Sequence, residues 1–333
     1  MSRDPGGAQT FSPTRLGYLI DTLKSDWRTM LAYGVALVLY LIMVAIAPSF
    51  ASLEQISNIL NLAAFLGIVA IGQTLVILVF GIDLSVSAVI TLVNLVTTAY
   101  VAGSDARTLT AIPLALAIGA AVGLVNGLGI RYLQIPDLVM TLASFTIVTG
   151  VALLYSGGAP TGQSSRLLNK LGAGDLGGIL PWSFVIWAVL AALTIFALTR
   201  TTFGRHVYAV GLNRRASRFS GINVGRTVVI LYTISGATAA IAGLLLTGYT
   251  GSSYFGIGDP YQLGSIAAVV VGGTSIFGGR GGYIGTIAGV ITIVLLQSLL
   301  TVLNIADAGR EIAFGLVILI LLLIYGRERS LRQ

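Results

Sequence analysis

The sequence predicts an all-α, polytopic membrane protein with about ten transmembrane helices and both termini in the cytoplasm. Of its 333 residues, 56% are hydrophobic and only 9% are charged, whereas soluble domains carry about 25% charged residues. Apolar runs close to the roughly 17–25 residues that cross a bilayer recur along the chain. The loops between them hold most of the Lys and Arg residues, and this distribution orients the spans.

Ten apolar runs follow one another, and each is predicted to form one span. They lie at 31–47, 56–80, 84–102, 109–130, 138–155, 182–199, 227–249, 263–277, 283–303 and 312–325. The run 263–277 is short for a bilayer, so we expect it to be broken or partly re-entrant. The predicted domains are a cytoplasmic tail at 1–26, a transmembrane domain at 27–326 and a cytoplasmic tail at 327–333.

The basic residues support this orientation. With the amino terminus inside, 15 of the 19 Lys and Arg residues fall on the cytoplasmic side. The reverse orientation would place these fifteen charges outside, against the tendency of Lys and Arg to remain in the cytoplasm. The net charge of +7 therefore reflects topology and contact with anionic lipid headgroups. No nucleic-acid partner is expected.

The loop 200–226 is the most basic part of the chain, with six of the 19 Lys and Arg residues and no acidic residue. Within it, Asn213 can cap the start of a helix of about two turns, and Gly221 can end that helix in a left-handed conformation. A capped helix on the cytoplasmic face suits a grip by another protein. The apolar Phe219 would be its anchor, with Arg214 and nearby arginines at the rim. The alternative is a solvated basic loop that only fixes topology.

Two connections interrupt the apolar pattern in similar ways, at 80–86 and at 276–283. Each joins a span that enters the cytoplasm to the next span that leaves it. The similarity suggests an internal duplication, and paired breaks of this kind often mark the working centre of a transporter.

A polar stripe follows the third span, and its residues are spaced three or four apart, which places them on one helix face. They are Asp83, Ser87, Thr91, Asn94 and Thr98. The second span adds Asn58, Asn61 and Gln73. Hydrogen bonding between helices is one explanation. The other is a pathway for an uncharged polar solute, lined by Asn58, Asn61, Gln73, Asp83, Ser87, Thr91 and Asn94.

Asp83 needs a local reason to lie near the membrane, because an acid at mid-depth costs about 2.5–3.5 kcal/mol on insertion scales. The carboxylate can cap the third span by accepting the free amides of Ser85 and Val86. A direct role in transport is the alternative, and both roles are compatible.

Catalytic and metal chemistry have little support in the sequence. His206 is the single histidine and cysteine is absent, so no His-Glu-x-x-His motif, thiolate cluster or Ser-His-Asp set is expected. The Gly-rich stretch 278–282 lacks the Lys of a phosphate-binding loop. We therefore expect no metal site, no cofactor and no ATP site in this chain.

Three motifs resemble the permease subunits of ribose-type sugar ABC importers, and they occur in that family's order over roughly residues 50–325. They are Gly-Ile-Asp-Leu-Ser-Val at 81–86, the stretch Tyr-Ala-Val-Gly-Leu-Asn through Asn-Val at 208–224, and Gly-Gly-Thr-Ser-Ile-Phe-Gly-Gly-Arg-Gly-Gly at 272–282. The resemblance implies a subunit of the bacterial inner membrane that imports a monosaccharide or similar solute and is not itself an enzyme.

The resemblance also implies partners. These are a second permease copy or homologue, cytoplasmic ATPases that bind the ATP, and an extracytoplasmic solute-binding protein. It further implies that the ATPase pushes on the loop helix. The coupling residues carried over in this way are Asn213, Arg214, Arg215, Ala216, Ser217, Arg218, Phe219, Ser220 and Gly221.

The sequence departs from the family pattern at several places in these motifs. Ser87 and Leu212 stand where glycine is usual, and Arg214 and Arg215 replace proline and an acid. After Pro136 the usual Pro-Phe is replaced at 137–138 by Asp-Leu. The loop helix is therefore more basic than in the family.

An ion-coupled secondary transporter is the alternative function. Such proteins usually keep ionisable residues inside their spans as coupling sites. Here only Asp83, Asp137 and Glu311 lie near span ends, which argues against ion coupling.

Overall fold

The computed structural model of the chain describes residues 15–306, 308–310, 312, 315, 316 and 319. The predicted tail at 327–333 and most of the predicted tenth span at 312–325 lie outside the described residues, as does most of the predicted tail at 1–26.

The described chain is almost entirely helical. Its long helices are α1 (Arg15–Ile46), α2 (Leu53–Leu78), α4 (Asp105–Tyr132), α5 (Asp137–Ser156), α7 (Trp182–Arg200), α10 (Val224–Thr250) and α12 (Tyr283–Val302). The shorter helices are α3 (Val86–Val101), α6 (Arg166–Gly172), α8 (Thr202–Leu212), α9 (Arg214–Phe219) and α11 (Asp259–Val271). A 3₁₀ turn (Pro48–Ala51) precedes α2, and a hairpin of β1 (Asp175–Leu176) and β2 (Leu180–Pro181) precedes α7.

Each of the nine predicted spans that fall within the continuously described part, 15–306, coincides with a helix. The seven long helices are apolar enough to cross a membrane. The other two, α3 with 16 residues and α11 with 13, are too short. The short α11 was expected, whereas α3 was predicted as a full span. It is shorter than the predicted run 84–102 because residues 84–85 are not helical and the helix ends at Val101.

Helix α2 lies at the centre of the bundle. Every residue from Ala63 to Leu78 is buried, because the helix is apolar on all faces and needs neighbours on every side. Helices α7, α10, α11 and α12 surround it. The two central helices α2 and α10 therefore carry most of the hydrophobic core.

Helices α4 and α10 pack with their backbones in near contact, which three glycines on one face of α4 make possible. Gly119, Gly123 and Gly127 recur every four residues, a spacing typical of close helix pairs in membranes. A methyl group on Gly119 would lie 2.2 Å from the carbonyl oxygen of Gly236. One on Gly123 would lie 2.1 Å from that of Tyr232. Only glycine fits at these contacts.

The connections between helices gather at two opposite ends of the bundle. At one end the Gly279 amide donates to the Leu78 carbonyl over 2.8 Å, which joins two of the predicted cytoplasmic turns. At the other, the Gly103 amide donates to Gln163, and the Ser164 amide to Gly251. The predicted alternating topology would place these two groups on opposite sides of the membrane.

We expect Gly123→Ala to destabilise the protein by about 1–3 kcal/mol, since the added methyl group forces α4 away from α10. The measurement is thermal unfolding of the full chain in detergent. Gly150→Ala on α5 is the matched control, because no described atom lies within 4 Å of a methyl group placed there. Equal stability of the two variants would contradict the close-packing account.

Candidate translocation and coupling sites

The turn after α2 reverses the chain into the bundle. Phe80 has a left-handed backbone, with φ of 64°. Its amide donates to the Ile77 carbonyl and the Gly81 amide to that of Val76, which is the hydrogen-bond pattern of a Schellman cap. The Phe80 ring stacks on Phe277 at 6.4 Å. The turn therefore directs residues 81–85 into the bundle. The contact between Phe80 and Phe277 also brings together the two predicted breaks, at 80–86 and 276–283.

Asp83 is the centre of a buried polar network. Its Oδ1 accepts from the Ser85 amide at 3.0 Å and the Ser85 hydroxyl at 2.6 Å. Its Oδ2 accepts from the hydroxyl of Ser235, on α10, at 2.7 Å. Asn126 of α4 donates to Ser85 at 2.9 Å, and Ser144 of α5 donates to Asn126. One carboxylate thus links the break before α3 to three other helices.

The predicted cap at Asp83 takes a different form in the structure. The bond to the Ser85 amide is present, as expected. The second carboxylate oxygen turns to Ser235 and not to the Val86 amide. Because Ser85 is the residue before α3 begins, Asp83 orders the entry to the helix and fastens it to α10.

The amino-terminal turns of α3 and α11 lie side by side inside the bundle. The Gly258 amide donates to the Thr91 hydroxyl at 3.3 Å. Gln262 donates to the Leu84 carbonyl at 3.2 Å and accepts from the Ser87 hydroxyl at 3.3 Å. The chain therefore enters α3 from one end of the bundle and α11 from the other, and the two helices begin against each other.

Asn94 holds the segment that leads from α10 to α11. Its Nδ2 donates to the Thr247 hydroxyl at 3.0 Å and to the Ser252 carbonyl at 3.3 Å. Its Oδ1 accepts from the Tyr254 amide at 3.3 Å. The Thr98 hydroxyl bonds back to the Asn94 carbonyl at 2.8 Å. Both the oxygen and the nitrogen of the Asn94 side-chain amide therefore have hydrogen-bond partners within the chain.

The polar stripe of α3 is buried, in agreement with its predicted inward orientation. Ser87, Thr91 and Asn94 each bond to a residue between 247 and 262. Opening a pathway along this face would have to replace these bonds. Its use as a pathway stays a prediction.

The three residues of α2 that were predicted to line a pathway have different surroundings. Asn58 is exposed, and its Oδ1 accepts from Tyr249 at 3.5 Å. Asn61 is buried, and its Oδ1 accepts from the Ser183 hydroxyl. Gln73 is fully buried, and neither polar atom of its amide has a partner among the described residues. An unsatisfied buried group costs about 1–3 kcal/mol, so packing alone does not explain Gln73.

The sequence patterns did not predict several residues of the network around Asp83. Ser235, Asn126, Ser144 and Gln262 lie far from Asp83 along the chain, and no spacing rule joins them to it. Asn126 alone offered a signal, because an amide inside an apolar run needs a partner.

The loop helix has both predicted caps. The Asn213 side chain accepts from the Ala216 amide at 2.9 Å. Gly221 is left-handed, with φ of 79°. Its amide donates to the Arg218 carbonyl, and the Ile222 amide donates to that of Ser217, which completes a Schellman cap. Helix α9 is therefore a defined single element.

Phe219 and Arg214 point in different directions from this helix. Phe219 is 83% exposed. Arg214 is partly exposed, and its Nη2 donates to the Val79 carbonyl at 2.9 Å and lies 3.8 Å from the Asp137 carboxylate. Arg214 therefore ties the loop helix to the end of α2 and the start of α5. Its place at the rim of an ATPase interface stays a prediction.

Helix α8 is held against the Gly-rich turn 278–282. The Tyr208 hydroxyl donates to the Gly281 carbonyl at 2.9 Å. Burial raises the pKa of the Tyr208 phenol, so the hydroxyl stays protonated and donates throughout the neutral range. The turn also contacts the end of α2 through Gly279, so α8, α9 and both breaks form one surface.

A permease architecture follows from the broken helices, the buried polar stripe and the helical loop at one end. The family model described as branched-chain amino acid transport system / permease component matches residues 55–325. The chain belongs to this family.

Curated relatives cover most of the chain. A ribose import permease protein, RbsC, of Bacillus subtilis is 39% identical over 88% of this chain and 91% of its own. The protein of that name from Haemophilus influenzae is 36% identical over 87% and 90%. An inner membrane ABC transporter permease protein, YjfF, of Escherichia coli is 36% identical over 83% and 84%. No solved structure matches.

The class of the protein is set by these findings. The chain is a multi-pass permease subunit of the ABC importer class, located in the bacterial inner membrane. It is a transport subunit and not an enzyme.

We expect Asp83→Asn to lower transport less than Asp83→Leu. Asparagine keeps one oxygen acceptor for the Ser85 amide, and the serine hydroxyls can rotate to suit its nitrogen, whereas leucine leaves all three donors unpaired. Uptake and thermal stability of the two variants are the measurements, with Ser235→Ala as the single-bond control. Equal loss of uptake at normal membrane insertion would instead indicate a required negative charge.

Proposed function

We propose that this chain forms the translocation pathway of an ATP-driven importer for a monosaccharide or a similar uncharged polar solute. The neutral character of the buried polar face carries the proposal, since Ser87, Thr91 and Asn94 offer hydroxyl and amide groups and no charge. The ribose import relatives support the same substrate class.

The proposed pathway residues remain Asn58, Asn61, Gln73, Asp83, Ser87, Thr91 and Asn94. The unpaired amide of Gln73 supports a role beyond packing. Ion coupling has less support, because both oxygens of Asp83, which is fully buried, already accept hydrogen bonds from serines.

We further propose ten membrane crossings with both termini in the cytoplasm. At two of them the short helices α3 and α11 would cross together with the non-helical residues that precede them. The grouping of the connections at two ends of the bundle supports this topology. The end that carries the basic loop 200–226 is then the cytoplasmic one. The exposed apolar side chains of α1, α5 and α7 suit contact with lipid.

The proposed partners are a second permease copy or homologue, a cytoplasmic ABC ATPase that binds the ATP, and an extracytoplasmic solute-binding protein. The proposed ATPase contact is the loop helix with its caps, residues 213–221. Phe219 is free to enter a cleft of the ATPase. Arg214 would transmit displacement of the helix to the ends of α2 and α5.

Reconstitution tests the function. In proteoliposomes, the chain with its ATPase and binding protein should take up D-ribose or another monosaccharide only when ATP is supplied. The chain alone should neither hydrolyse ATP nor transport. ATP turnover by the chain without an ATPase, or uptake driven by an ion gradient instead of ATP, would contradict the proposal.

Removing Phe219 should weaken assembly with the ATPase more than removing an arginine. A buried aromatic anchor is worth about 2 kcal/mol or more, whereas rim charges mainly change association rate and salt dependence. Co-purification of the ATPase with Phe219→Ala and with Arg215→Ala, at low and high salt, measures this difference. If both variants hold the ATPase as wild type does and still support uptake, the loop is only a topology signal.

A further inference from the structure

A cavity of about 510 Å³ opens at the end of the bundle opposite the loop helix. Its walls are the start of α2 with the preceding turn, the segment 173–181, and Tyr249 near the end of α10. The volume lies within the roughly 300–1,000 Å³ usual for small-molecule sites. In the proposed topology this cavity faces the extracytoplasmic side.

The lining of the cavity is polar and mostly neutral. Seven of its side chains carry a hydroxyl or an amide, two carry a carboxylate, and none is basic. The two carboxylates, on Glu54 and Asp175, disfavour an anion. No group of three or more potential metal ligands exists among the described residues. The hydroxyl and amide groups that dominate the lining fit a ligand with several hydroxyl groups, which both donate and accept hydrogen bonds.

Much of this hydrogen-bonding capacity is unused. Asn61 is 6% exposed and its Oδ1 is occupied by Ser183, but its Nδ2 donates to no described residue. Asn58 bonds to Gln55 and to Tyr249 only at 3.5 Å, the outer limit of a hydrogen bond. The Glu54 carboxylate has no hydrogen-bond or ion-pair partner among the described residues. A ligand would therefore displace little existing bonding.

Tyr249 supplies the apolar part of the cavity. Its ring is held edge-on against Phe65, with ring centres 5.3 Å apart, and the residue is 38% exposed. A positioned aromatic ring beside amide and carboxylate groups suits a molecule that has both C–H and O–H faces.

We propose that this cavity is a receiving site for a polyol of monosaccharide size, held by Asn58, Asn61, Glu54 and Tyr249. The inference rests on the proposed function and divides its pathway residues in two. Asn58 and Asn61 meet the solute at the outer end, within one subunit. The stripe of α3 lies deeper and is closed by its own hydrogen bonds.

Ligand binding to the full chain in lipid nanodiscs tests this site. D-ribose and D-galactose are the probes, and titration by saturation-transfer NMR gives the Kd. Asn58→Ala and Glu54→Ala should each raise the Kd about 3- to 10-fold, the effect of one lost hydrogen bond. Gln163→Ala, which removes an exposed outer amide that does not line the cavity, should leave the Kd unchanged. Unfolding temperatures verify that the variants are folded.

Three outcomes overturn the site. One is no saturation transfer to either sugar, and another is an equal Kd in all variants. The third is weaker docking of the solute-binding protein with unchanged sugar binding, which would make the cavity a protein contact. ATP-driven uptake by the complete importer is measured in parallel. If ATP-driven sugar uptake persists but the binding results do not support the cavity, only this inference is wrong. If sugar uptake is absent, the proposed function is wrong as well.

Discussion

The packing around the break between α2 and α3 depends on how the chain supplies hydrogen bonds to one buried carboxylate, that of Asp83. A charged group removed from water costs several kcal/mol unless hydrogen bonds compensate. Asp83 is fully buried, and its donors come from Ser85 at the start of α3 and from Ser235 in α10. These donors meet only if the chain leaves α2, turns at Phe80 and re-enters the bundle. The break between α2 and α3 is thus a requirement of the network.

The two short helices, α3 and α11, are subject to the same requirement that buried polar groups have hydrogen-bond partners. A helix that begins inside a membrane protein has free amide groups that water does not reach, so side chains or backbone must satisfy them. At α3 the acceptor is Asp83. Before α11 it is Thr91, which accepts from the Gly258 amide, and Gln262 returns a bond to the Leu84 carbonyl. The polar stripe therefore stabilises the starts of these two helices. A solute that passes along it would have to replace these hydrogen bonds with its own.

The surface formed by α8, α9 and the two breaks connects the Asp83 network to the loop helix. Arg214 is partly exposed and its pair with Asp137 spans 3.8 Å, so the pair adds at most about 1 kcal/mol of stability. Its value is positional, because the same guanidinium binds the Val79 carbonyl just before the turn at Phe80. Both members of the pair depart from the pattern of the ribose-type permeases that the sequence resembles. Through Arg214, the loop helix is linked to the residue just before the turn that leads to Asp83.

Composition and periodicity determined the membrane class, the positions of the long apolar helices in the described region and both caps of the loop helix, because these depend on local hydrophobicity and on neighbours within a few residues. The inward orientation of the α3 stripe followed in the same way from its spacing. Only the tertiary structure decided that α3 starts late, that Asp83 turns to Ser235, and that Arg214 faces Asp137. The two contacts join residues tens of positions or more apart, and the choice among competing donors and acceptors is made by packing geometry, which local sequence does not encode.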